Sequence, residues 1–258
     1  MLRRGRLPLL VPAALGVALV ALPLLGLLLG TEWAGLLRHL SAPLVWPAIR
    51  LSLVTTLITL ALAVALGTPL AWLLSRAEGR RASWLRALIT VPVVLPPVVG
   101  GVALLLAYGR EGLVGAPVFV AFGLRLPFTP TAVVLAQVFV SLPFYVLAVE
   151  GAMRSVDGRY DAIAATLGAS PTRVFTRVAL PLAAPGIAAG AALAWARALG
   201  EFGATITFAG NLTGRTQTAP LAVYVALQDD PQAAIALSIA MLVVSIAILG
   251  LLRGRWAG

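Results

Sequence analysis

Arg197 and Glu201 stand four residues apart inside the run Pro185–Ala209, and every other residue of that run is uncharged. On a helix this spacing places a guanidinium and a carboxylate on one face, close enough to pair. If the helix starts near Pro185, Arg197 lies about 18 Å along it at 1.5 Å per residue. That depth is near the middle of a bilayer, where charges are costly and face a bundle interior or a cavity. Two chemistries fit. The pair can lock a helix, or Arg197 can offer brief positive charge to a passing dianion while Glu201 prevents trapping. Thr205, one turn beyond Glu201, belongs to the same candidate path.

A second polar group is "DAIAATLGASPTRVFTRVALP", residues 161–181, in a chain only 11% charged. It holds Asp161, Arg173 and Arg177 around Gly168, Ser170 and Pro171. A third is Ser52, Thr55, Thr56 and Thr59, which share one helical face at i, i+3, i+4 and i+7. Their hydroxyls can hydrogen-bond between helices, or Ser52 and Thr56 can line a path. Pro92, Pro96 and Pro97 form a fourth group. They cannot donate backbone hydrogen bonds, so they kink or break a helix there, as a gate or as a static bend.

Several other chemistries are excluded. There is no Cys, hence no disulfide and no thiolate nucleophile, and the single His39 cannot build a multi-His metal site. His39 is expected at a membrane interface near Trp33 and Trp46, with no chemical role. All 19 basic residues are Arg, so the lysine that a Walker A loop places on the β/γ-phosphates is missing.

The elements that must position these residues are membrane spans. The chain has 258 residues, of which 60% are hydrophobic, and a mean hydropathy of +1.01. Soluble domains are about 45–50% apolar. Runs long enough to cross a bilayer are Leu7–Leu29, Leu51–Ser75, Ala87–Gly109, Thr131–Val149, about Pro185–Ala209 and Pro231–Leu252. Six spans put both termini on one side. Leu7–Leu29 is too long for a signal-peptide core and lacks a clear cleavage site, so it reads as a retained first span.

Arginines set the expected orientation. Arg3, Arg4, Arg6, Arg76, Arg80, Arg81, Arg86, Arg154, Arg159, Arg173, Arg177, Arg253 and Arg255 fall on one side; Arg38, Arg110, Arg125 and Arg215 fall on the other. The positive-inside bias makes the first side cytoplasmic. The net charge of +10 is then a topology signal rather than a sign of nucleic-acid binding. The polar group at 161–181 falls in a cytoplasmic connection, Glu150–Ala184. Within it, Tyr160–Leu167 reads as a short helix closed by Gly168, Ser170 as an N-cap with Pro171 at N1, and Pro181 as the break of a second helix. Gly186 and Gly190 form a small-xxx-small pair, and Asn211-Leu212-Thr213 reads as a turn. The outer loops Gly109–Pro130 and Gly210–Gln232 are too ordered in pattern for linkers.

The connection resembles the cytoplasmic loop of ABC importer permeases, E-A-A-x-x-x-G-x9-I-x-L-P. Ala164 and Gly168 match its second Ala and its Gly; Val178, Leu180 and Pro181 match its I-x-L-P. Ala162 and Ile163 depart from its Glu and first Ala, and Asp161 stands one residue before the missing Glu. "RLSLVTTLITLALAVALGTPLAWLLS" at 50–75 is similar to the second span of oxyanion importers, and "VPVVLPPVVGGVALLLAYGREG" at 91–112 to the third span of molybdate permeases. "ARALGEFGATITFAGNLTGRTQTAPLAVYVALQDD" at 196–230 resembles the fifth span and outer loop of molybdate/tungstate permeases, with "GRTQT" favouring these over sulfate/thiosulfate permeases.

The resemblance implies an all-α integral membrane fold of the type I ABC importer kind. It would form one permease domain over residues 1–258, with short cytoplasmic coupling helices at about 150–184. It implies a homodimer in the cell membrane, two ATP-binding cassette subunits that hold ATP and Mg, an external oxyanion-binding protein that docks on the outer loops, and no cofactor on this chain. The coupling residues would be Asp161, Ala164, Gly168, Ser170, Pro171, Arg173, Val178, Leu180 and Pro181. The alternatives are a sulfate/thiosulfate permease and a self-sufficient secondary anion transporter. A membrane enzyme lacks a nucleophile–base pair. A secondary transporter would have Glu201 as its one good coupling carboxylate and would be expected to show inverted repeats, which the sequence does not display.

Overall fold

The computed structural model describes residues 7–156 and 159–253. Arg3, Arg4, Arg6 and Arg255, which helped to set the expected orientation, lie outside the described residues. The fold is helical throughout. In chain order the helices are α1 (Leu7–Leu29), α2 (Leu36–Leu40), α3 (Val45–Arg76), α4 (Gly79–Val94), α5 (Pro97–Tyr108), α6 (Gly115–Phe122), α7 (Pro130–Ser155), α8 (Arg159–Thr166), α9 (Pro171–Val174), α10 (Leu180–Leu199), α11 (Gly203–Phe208), α12 (Ala219–Asp229) and α13 (Pro231–Arg253). Among the described residues, five spans are long and apolar enough to cross a membrane alone; α4 and α5 make a sixth if the bent pair counts as one.

α7 is the axis of the bundle, packed between α3 and α10. The most apolar window of α7 is 61% buried, whereas that of α1 is 0% buried and makes few contacts, among them with α13. The inner core joins Ala63, Leu74, Tyr145, Val146, Val149 and Ala194 from these three central helices. Close approach of α10 to α7 depends on the Gly186/Gly190 pair: a Cβ at Gly186 would collide with the Ala152 methyl, and one at Gly190 would sit 2.9 Å from Val149 Cγ2. In lipid, where apolar burial drives little association, such contact supplies dispersion energy and brings polar groups within hydrogen-bonding reach.

Those polar groups are the hydroxyls expected on one face of α3, all buried. Ser52 accepts from the Ala219 amide at 2.7 Å, joining α3 to α12. Thr56 accepts from the Trp195 indole of α10 at 3.2 Å, and Thr59 donates to Gln137 of α7 at 3.1 Å. Lower in the bundle, Thr68 and Tyr145 share a 2.7 Å hydrogen bond. The Ser/Thr stripe therefore stitches the core together.

Three expectations change, and the helix break expected at Pro96 and Pro97 is realised. α3 starts at Val45 rather than Leu51 and carries Arg50 exposed within it; a long guanidinium stem lets a span tolerate a charge near its end. The run Ala87–Gly109 is two helices bent by 116°. Pro96 and Pro97 end one helix and start the next, with Pro97 in the first turn where its missing N–H costs nothing. The run Pro185–Ala209 is likewise divided: α10 stops at Leu199 and α11 begins at Gly203. Pro181 does not break its helix. Phe175–Ala179 forms one π turn, in which the Leu180 amide donates to Phe175 O. This i→i−5 shift absorbs the donor that Pro181 lacks, and the apolar segment runs on from Pro171 to Leu199.

The outer segments are also built into the fold. Leu212 O accepts from the amides of Arg215, Thr216 and Gln217, which makes 211–217 the expected turn. Beyond it Thr216, Gln217 and Thr218 are buried, and α12 packs on α13 and α3 through Ala219 and Ala222.

Candidate functional site

The connection between α7 and α10 folds as a two-helix platform; its expected closure, cap and helix start are realised, and the expected break at Pro181 is not. α8 ends in a Schellman closure: the Ala169 amide donates to Ala164 O at 3.0 Å and the Gly168 amide to Ala165 O at 3.0 Å. Gly168 takes φ +80, where a Cβ is strained. Ser170 caps α9 by accepting from the Arg173 amide at 3.4 Å, with Pro171 at N1. Tyr160, Ile163 and Leu167 are 53%, 57% and 82% exposed; their i, i+3, i+7 spacing gives α8 an uncovered apolar stripe. Arg173, Arg177, Pro171 and Pro181 are exposed; Ala164, Val178 and Leu180 are half-buried.

Asp161, one residue before the missing motif glutamate, could partly substitute for it by position. Its Oδ2 instead accepts from Arg76 of α3, at 2.7 Å from Nε and 2.5 Å from Nη2. Beside it, Arg86 of α4 binds Glu150 of α7 at 2.6 Å and also donates to Leu74 O and Ala77 O, capping the end of α3. Arg154 holds the same carboxylate at 3.0 Å. Glu150 is thus buried between two guanidiniums, as an interior carboxylate must be. In the sequence Glu150 falls at the edge of a loop, and its i, i+4 relation to Arg154 is the signal that marks the pair.

The second candidate region is formed by the two helix breaks, and the fold brings them together. A Cβ on Gly203, at the start of α11, would lie 2.6 Å from Pro97 Cβ at the start of α5, so the two restarts touch. Glu201 sits in this junction, 1% exposed. One of its oxygens accepts from the Ala204 amide at 2.7 Å and so satisfies the first turn of α11; the other meets Arg197 Nη1 at 2.8 Å. Glu201 therefore ties the end of α10 to the start of α11. Arg197 keeps 27% of its side chain exposed. Thr205 is fully buried, and its hydroxyl has no partner among the described residues. Ser52 and Thr56 lie in the interhelical hydrogen bonds described above, away from this junction in sequence and in partners. Gln137, a lone amide inside the apolar run of α7, was missed. Such a residue in a span signals an interhelical hydrogen bond.

An apolar groove of about 640 Å³ opens among α10, α12 and α13, lined in part by Trp195, Leu199, Phe202, Tyr224 and Met241. Among the described residues, no group of three or more His, Asp or Glu side chains could hold a metal ion.

Residues 63–254 match the family described as "Binding-protein-dependent transport system inner membrane component". The chain belongs to this family. It is 47% identical over 240 residues to "Molybdenum transport system permease protein ModB" of Mycobacterium tuberculosis (strain ATCC 25618 / H37Rv), covering 93% of this chain and 90% of that protein. It is 38% identical over 211 residues to the protein of the same name from Escherichia coli (strain K12), covering 82% and 92%. Against the "Probable sulfate transport system permease protein cysT" of Zygnema circumcarinatum it is 31% identical over 238 residues, covering 91% and 82%. The fold superposes on a chain of a bacterial ABC transporter involved in import of the acidic polysaccharide alginate, with a TM-score of 0.77 at 15% identity, covering 96% and 93%. The family and the apolar helices make this an integral membrane protein, a transport component with the type I ABC permease fold.

Proposed function

We propose that this chain is the membrane permease of an ATP-driven molybdate/tungstate importer, in the cell membrane with both termini cytoplasmic. Two copies form the translocation unit. Two ATP-binding cassette subunits supply the energy from ATP and Mg, and an external oxyanion-binding protein delivers the cargo to the outer loops. The observation that carries the reading is the platform. A capped, two-helix element leaves Tyr160, Ile163 and Leu167 more than half exposed, next to exposed Arg173 and Arg177. An amphipathic helix of this kind fits a groove on another subunit. The sequence has no lysine for a Walker A loop, which agrees with that subunit being the one with the P-loop. Molybdate is favoured over sulfate by the higher identity to the permeases named for molybdenum.

The path follows the paired breaks. Interrupted helices expose backbone polar groups within a membrane only where protein or a water-filled cavity satisfies them, and such places serve as ion sites in transporters. Here Pro96 and Pro97 abut Gly203, with Arg197, Glu201 and Thr205 alongside. Arg197 presents the positive charge, and Glu201 keeps it from binding a dianion too tightly to release. Ser52 and Thr56 hold the helices that frame this junction.

The test is reconstitution in lipid vesicles. The chain alone is expected to carry no molybdate under any ion gradient. Together with the ATPase subunits, the binding protein and ATP it is expected to accumulate molybdate, with tungstate competing and sulfate competing weakly. Transport by the chain alone, or uptake of sulfate in preference to molybdate, would overturn the reading.

A further inference from the structure

The end of α3 makes a second attachment to the platform that its covalent route does not require. The platform joins the chain between α7 and α10, and α8 and α9 continue through the π turn into α10, so a push on the platform has a direct path into its two chain neighbours but none into α3. Yet Trp72 and Arg76, one turn apart on the last part of α3, reach both halves of the platform. Arg76 binds Asp161 on α8 through Nε and Nη2. Its guanidinium lies 5.0 Å from the centre of the Trp72 ring. The other side of the contact is Phe175, the first residue of the π turn, whose ring centroid is 5.2 Å from that of Trp72 at 54°. The chain Asp161–Arg76–Trp72–Phe175 is therefore a continuous stack of charged and aromatic contacts that bridges α8, α3 and the π turn.

Resting on the importer reading above, we propose that Trp72 and Arg76 form a strut that carries displacement of the platform into α3, so that α3 and α10 move together. α3 is a single helix of 32 residues. From Arg76 to Ser52 it spans about 36 Å at 1.5 Å per residue, and Ser52 there holds the first amide of α12. A shift at Arg76 reaches α12 along one continuous helix, with Pro69 inside it. An ion pair about a quarter to a third exposed adds little to stability, so its loss leaves the fold intact and shows in coupling. Trp72 and Arg76 are positioning residues: they act through the platform and do not touch the cargo.

The experiment is a charge-swap cycle in the full reconstituted complex, with uptake of molybdate and ATP hydrolysis measured on the same vesicles. Arg76→Asp and Asp161→Arg are each expected to lower molybdate moved per ATP about tenfold while ATP hydrolysis persists, and the double swap to recover most of the loss. Arg76→Lys is expected to fall between. If a charge reversal prevents assembly, Phe175→Leu keeps the apolar volume, removes the ring contact, and is expected to lower the same ratio about threefold. An unchanged ratio in assembled single variants overturns the strut, as does a double swap no better than the singles. A wild-type complex that shows no ATP-dependent uptake overturns the importer reading, and the strut with it. Wild-type uptake with an unchanged ratio in the variants removes the strut alone.

Discussion

Two arginine–carboxylate pairs of similar length sit in different places, and the contrast shows how one interaction serves two ends. Arg197 and Glu201 meet at 2.8 Å, with the carboxylate 1% exposed and also holding an amide of the next helix. Arg76 and Asp161 meet at 2.5 Å, with side chains 29% and 25% exposed. The first joins α10 to α11, neighbours in sequence; the second joins α3 to α8, 85 residues apart. Burial makes the first expensive to break, because removing one partner strands a charge. Partial exposure makes the second cheap to break, so its value lies in where it transmits force.

The comparison can be broken at its strong end first. Arg197→Ala leaves Glu201 buried with one unpaired oxygen and is expected to cost about 3–5 kcal/mol, read as loss of thermal stability in detergent. Arg197→Gln keeps a donor for Glu201 and is expected to lower transport more than assembly; equal loss of both would make the pair purely structural. Next, Gly203→Ala drives a methyl against Pro97 and is expected to cost about 1–3 kcal/mol by overpacking, seen as a lower melting temperature together with reduced uptake. Gly168→Ala places a side chain at positive φ and is expected to cost about 1–2 kcal/mol, locally, as faster amide exchange in α8. Smallest is Asp161→Asn, expected at or below about 1 kcal/mol in global stability. A fall several times larger would show that the pair at the platform is structural like the pair at the breaks.

The platform was legible because its signals are local. Gly168, Ser170 and Pro171 state a closure, a cap and a start within four residues, and the structure places each as its chemistry demands. The span count was legible because lipid enforces apolar length. Other features depend on distant partners. A proline pair announces that a helix must stop, but the 116° turn after it depends on α5 packing against α11. The break at Gly200–Phe202 lies in residues with no proline to mark it, and it is stabilised by Glu201 reaching Ala204. Pro181 misled because the π turn that accommodates it follows from the register of the surrounding helix rather than from any one residue. Arg76 looked like one more inside arginine, since nothing near it in the chain identifies Asp161 as its partner.

The central claim is that the 159–181 platform is where another subunit's ATP cycle acts on this chain. The most direct measurement is ATP-driven molybdate uptake by the complex carrying a deletion of Tyr160–Ala179, with membrane insertion followed in parallel. The account predicts a chain that still inserts and a transporter that takes up nothing. Uptake at the wild-type rate after that deletion would contradict it.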